Sequence, residues 1–119
     1  MSRPARHLDE PAAVLGKALL RTGKAMGLTQ QHVATAIGKD RSAISRATID
    51  PDSKSGELAA YLIRIYRALF VLVGGDEAQI QHWMHTDNRH TGGVPAEQLT
   101  SIHGLIRVME YLDAIRGKV

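Results

Sequence analysis

Three histidines and an aspartate in the second half of the chain, His82, His85, His90 and Asp87, have side chains that suit a metal ion. His82 and His85 are three residues apart, so a helix would bring them together. His90, however, falls in a loop, and no glutamate follows in the arrangement a zinc peptidase uses. The histidines therefore read as surface or interface groups around Trp83. Nucleophilic chemistry has no better footing, because no serine has a base and an orienting acid patterned around it. A phosphate-cradling loop would have to follow a strand; no strand is expected, and Gly74-Gly75 and Gly92-Gly93 read as chain breakers. The expectation is a protein that is not an enzyme, with no catalytic residues, no cofactor and no metal. A small histidine-metal enzyme stays open as a competing class, one that metal analysis of the purified chain would dismiss.

Binding chemistry is better represented, and it lies in the first half. Residues 1–55 carry nine Lys or Arg against five acids, a net of +4, whereas residues 56–119 carry six against seven, a net of −1. A basic half joined to a near-neutral half points to a polyanion partner for the first and a different partner for the second.

The pattern from Leu28 to Arg46 predicts two short helices. Thr29 caps the first, which runs to a left-handed stop at Gly38, and Asp40 caps the second, Arg41 to about Thr48. Ala34 and Gly38 are small where the two backbones must approach, and Val33, Ile37 and Ile44 supply the wedge of core between them. This run resembles the helix-turn-helix of the Xre/Cro-like repressors, with Lys39 departing from the apolar residue usual after the turn glycine. The resemblance implies that the second helix enters the major groove. Arg41, Ser42, Ser45 and Arg46 would then face base edges, while Thr29, Gln30 and Lys39 would meet phosphates.

The other elements are expected to support this pair. Residues 1–8 read as a loose arm, with Pro4 and Pro11 delaying the first helix to about Glu10–Ala12; that helix stops at Gly27. Residues 50–56 read as a loop. The longest apolar run, Glu57–Val73, has too wide an apolar surface for one neighbour, so it should be a core helix with partners on two sides. Its two arginines and its length below ~20 apolar residues exclude a membrane span. Asp76 caps a short helix to about His85, Thr86–Pro95 is a loop, and Thr100 or Ser101 caps a last amphipathic helix. The expected fold is all-α, with a helix-turn-helix region over residues 1–55, a linking apolar helix over 56–75 and a second small module over 76–119. The chain contains no cysteine and opens without an apolar signal core. A cytoplasmic protein with no membrane partner is expected.

In the second half Trp83-Met84, Asn88, Gly92-Gly93, Pro95, Leu99, Gly104, Val108 and Leu112 resemble the C-terminal toxin-binding domain of the MbcA/ParS/Xre antitoxins over about Asp76–Gly117. His90-Thr91 and His103 depart from that pattern. The resemblance implies an antitoxin that neutralises a RES-domain toxin, an NAD consumer, by direct binding and represses their shared operon. Trp83, Gly104 and the end of the chain, Arg116, Lys118 and Val119, are the expected toxin-binding residues, since a cationic tail suits a pocket built for a diphosphate. A homodimer or higher oligomer is expected on the operator DNA, formed through the Glu57–Val73 helix, the last helix or both, because the face around Ile63, Tyr66 and Phe70 is too apolar to stay exposed. The alternative is a free-standing helix-turn-helix regulator whose C-terminal half only dimerises.

Overall fold

Helix formation starts earlier than the two prolines suggest. In a computed structural model that describes the backbone of residues 3–117 and the side chains from Glu10 to Gly117, α1 spans Arg3–Ala25 with Pro11 inside it. The expected arm over residues 1–8 is corrected from Arg3 onward. Pro4 falls in the first turn, where a missing N–H has no partner to lose, so only Pro11 removes a bond from the helix.

Next comes α2, Gln30–Ile37, and then α3, Arg41–Ser45, which is shorter than expected. Ala47 adopts φ 53°, outside the helical range, and ends the run that the sequence carries to Thr48. The strap that follows is tied to α1, the Ile49 N–H donating to the Ala12 carbonyl at 3.1 Å.

The expected loop over residues 50–56 is also corrected, because its last three residues belong to α4, Lys54–Leu72. Ser53 is the cause: its Oγ accepts from the Gly56 N–H at 3.0 Å and so starts the helix one turn before the apolar run. Leu58, Ala59, Leu62, Ile65, Ala68 and Leu69 of α4 are buried. They pack against α1 and α2 on one side, and on the other against α5, Glu77–Met84, and α7, Ile102–Gly117. One helix thus carries the core of both halves, as its wide apolar face requires. Between α5 and α7 lies a one-turn helix that no periodicity marks, α6, Pro95–Gln98, with proline at its first position.

The fold is all-α. Among the described residues the only β pairing is an isolated bridge between Asn88 and Gly93, and no helix is long and apolar enough to cross a membrane.

Candidate nucleic-acid and protein interfaces

Local capping builds the first site. The Thr29 hydroxyl accepts from the His32 N–H at 3.0 Å, and Gly38 turns the chain at φ 74°. Asp40 Oδ1 then accepts from the Ala43 N–H at 2.9 Å to open α3. In α3, Ala43 and Ile44 are buried while Arg41, Ser42, Ser45 and the following Arg46 are exposed. The five-residue helix therefore presents one polar, doubly cationic face. Thr29, Gln30 and Lys39 are exposed beside it. All seven residues expected to meet DNA lie on α2, α3 and their flanks.

Their hydrogen bonds divide the roles more finely than the sequence does. Ser42 donates its one proton to Asp40 Oδ1 at 2.7 Å, so toward any ligand it can only accept. This bond, together with the Ala43 N–H, holds the Asp40 carboxyl below its ordinary range, with Arg46 and Lys39 adding a smaller push in the same direction. The one proton of Ser45 has two acceptors in reach, Gln30 Oε1 at 3.1 Å and the Arg41 carbonyl at 3.2 Å, and the contact with Gln30 Oε1 leaves both N–H groups of that amide unspent. Arg41, Arg46 and Lys39 make no ion pair among the described residues. Three cations thus remain available on a face whose other polar groups are largely oriented by one another.

The second site lies on α5–α7. Trp83 is half-buried and stacks on Tyr111 of α7, ring centres 6.4 Å apart and planes within 7°. His90 stacks on Tyr111 as well, at 5.6 Å and 8°. The three rings form a layered patch from α5, the following loop and α7. Tyr111, which sequence periodicity treats only as a helix position, is its centre. The loop is held by Asn88, whose side chain accepts from the N–H groups of His90 and Thr91. Its buried Thr91 carbonyl takes the Gln98 Nε2 proton at 2.6 Å.

The residues expected to meet a toxin do not converge. Gly104 is buried, and any side chain there would strike the Gln98 carbonyl of α6, so it serves close packing inside the chain and is no surface contact. Arg116 is exposed and lines a groove with Tyr66, Arg67, Phe70 and Val71 of α4. Five residues separate it from Tyr111, about 140° around a helix, so the aromatic patch and Arg116 occupy different flanks of α7. Lys118 and Val119 lie outside the described residues.

The apolar face expected to dimerise is partly used within the chain. Phe70 meets Tyr66 edge-on at 5.9 Å, and its ring covers Gly75. Phe70 nevertheless stays 45% exposed, Val71 59% and Val14 of α1 68%. Ile63, Val14 and Leu15 share a groove between α4 and α1.

Sequence reasoning misses the ties between the two halves. His32 Nε2 donates to the Ala96 carbonyl, His85 Nε2 to the Met26 carbonyl at 3.1 Å, and Gln81 Nε2 to the Ala25 carbonyl at 3.3 Å. Of the three histidines weighed as metal ligands, His85 is tied to the Met26 carbonyl and His90 is engaged in the stack. No three His, Asp or Glu side chains converge among the described residues.

Comparison with known families matches both halves. Residues 5–64 match the model of the antitoxin Xre-like helix-turn-helix domain, and residues 67–118 that of the antitoxin Xre/MbcA/ParS C-terminal toxin-binding domain. The two matched regions meet inside α4. No curated protein matches the chain.

Proposed function

Because the chain belongs to the Xre/MbcA/ParS-type antitoxins, we propose that it neutralises a RES-domain, NAD-consuming toxin through α5–α7 and represses its own operon through α3. The observation that carries the reading is the union of a helix-turn-helix region with a toxin-binding region on one central helix. In this reading Arg41 and Arg46 make base contacts, Ser42 accepts from a base, and Ser45 acts through Gln30. Thr29, Gln30 and Lys39 hold phosphates. Operator binding uses a homodimer or higher oligomer, since one five-residue helix offers few base contacts, and half-sites lie about 10 bp or a multiple apart. Trp83 anchors the toxin at the aromatic patch, and the tail of Arg116, Lys118 and Val119 enters the NAD pocket. Gly104 contributes indirectly by seating α7 on α6.

Truncation tests the inhibitory part. The chain ending at Ile115 should fold, bind its promoter and still co-purify with the co-expressed toxin, while NAD consumption by the complex returns. Full inhibition by the truncated chain would move the block from the tail to the patch around Trp83. Failure of the intact chain to hold the toxin would refute the antitoxin role with this class of toxin, leaving a regulator whose C-terminal half only dimerises.

A further inference from the structure

Between Glu10 and Asp40 the chain contains no acidic residue and four cations, Lys17, Arg21, Lys24 and Lys39. Only Lys39 belongs to the helix-turn-helix face. The other three are exposed on α1, and none has an acidic partner among the described residues, in contrast to Lys54 with Glu57 and Arg64 with Asp113. Their spacing of four and three residues lays them along one stripe, and the seven residues from Lys17 to Lys24 correspond to about 10 Å of helix. A purely solvated face of this length would ordinarily mix both signs.

The packing of α1 decides where the stripe lies. The helix-turn-helix rests on the flank of α1 that holds Gly16 and Gly23: Gly16 abuts the backbone of Ala47 and Thr48, and Gly23 abuts Val33. Leu20 and Lys24 line one groove with Leu28, Gln30 and Val33. Lys17 and Lys24 flank Leu20 on the helix surface, three residues before it and four after. The Lys24 end of the stripe therefore borders the helix-turn-helix at its Gln30 edge, and Lys17 and Arg21 continue it around α1.

We infer that Lys17, Arg21 and Lys24 form a second DNA-contacting surface, which holds the phosphate backbone beside the half-site met by α3. The inference rests on the reading of α3 as the base-contacting helix. Ammonium and guanidinium groups along a helix with no acid between them suit a row of phosphates, and such contacts are independent of sequence.

The test follows binding of the full chain to a promoter duplex and to an unrelated duplex by fluorescence anisotropy between 50 and 200 mM KCl. Lys17→Gln, Arg21→Gln and Lys24→Gln keep good helix formers at exposed positions. Combined, they should lower the slope of log affinity against log salt by about 2.7 on both duplexes, so that the rise in salt costs the variant about 40-fold less than wild type. If the triple variant fails to fold, the single variants, each expected to lower the slope by about 0.9, decide the question. Arg89→Gln with Arg107→Gln, two exposed cations of the C-terminal module, should leave the slope unchanged. An unchanged slope in the α1 variants, or an equal drop per charge in the Arg89 and Arg107 control, overturns the inference. Failure of the α3 reading is distinct: wild type would then show no preference for the promoter, and Arg41→Ala would behave as wild type.

Discussion

Ser45 and Gln30, fifteen residues apart and on different helices, are joined by a 3.1 Å hydrogen bond from the Ser45 hydroxyl to the Gln30 amide oxygen. The contact ties the exposed face of α3 to the first turn of α2, although the Arg41 carbonyl, 3.2 Å away, competes for the same proton. If Ser45 acts through Gln30, the two residues form one unit in operator binding. A double-mutant cycle with Gln30→Ala and Ser45→Ala should then show non-additivity of about 0.5–1.5 kcal/mol, with the double variant little worse than Gln30→Ala alone. Losses that add within ~0.3 kcal/mol would assign Ser45 its own contact.

Gly104 should be intolerant although it sits inside a helix, where alanine ordinarily helps. A side chain there meets the Gln98 carbonyl, a backbone group that cannot swing away. Gly104→Ala is expected to lower stability by about 1–3 kcal/mol despite a propensity gain of up to ~1 kcal/mol. Gly117→Ala, with nothing within 4 Å of the added carbon, should be neutral or slightly stabilising. Thermal unfolding of the two variants checks the contrast, and equal melting temperatures would contradict it.

Acid should loosen the turn before α3. The Asp40 carboxyl is lowered in the folded chain by the Ser42 hydroxyl and the Ala43 N–H. Its contribution is therefore present above the unfolded value, near 3.8, and is lost as pH falls through the lower folded value. Asp40→Asn keeps a capping side chain but cannot titrate. The wild type should lose more stability than this variant between pH 5 and pH 3; parallel melting curves would contradict the assignment.

Much of this was legible because capping chemistry is local. Thr29, Gly38 and Asp40 each act within a few residues, so the helix-turn-helix can be read from one short stretch, and the wide apolar face of α4 announces its two sets of neighbours. What escaped has a physical cause in each case. The arm expected over residues 1–8 and the loop expected over 50–56 are helical at Arg3–Leu8 and Lys54–Gly56 because the rest of α1 and the Ser53 cap outweigh local propensity. Ala47 ends α3 with a positive φ that an alanine does not advertise. The stack of Trp83, Tyr111 and His90 and the ties from His32, Gln81 and His85 join residues far apart in sequence, which no periodicity encodes.

The exposed apolar groove predicts self-association. Val71 is 59% exposed and, unlike Phe70, does not cover Gly75. Val71→Glu should therefore leave the fold intact while converting a dimer at tens of micromolar to a monomer in light scattering. A wild-type monomer at that concentration would contradict this, as would a variant that remains dimeric.

The proposed function requires a separation of two binding surfaces on one chain, base contacts on α3 and toxin inhibition on the C-terminal module. It is tested most directly by titrating the cognate toxin with the Arg41→Ala, Arg46→Ala double variant and following NAD consumption. Each arginine is expected to contribute on the order of 1–3 kcal/mol to operator binding. The variant should therefore lose its promoter shift yet inhibit the toxin at the same molar ratio as wild type. Loss of inhibition along with DNA binding in a variant that melts like wild type would contradict the claim, as would a wild-type chain that leaves NAD consumption unchanged.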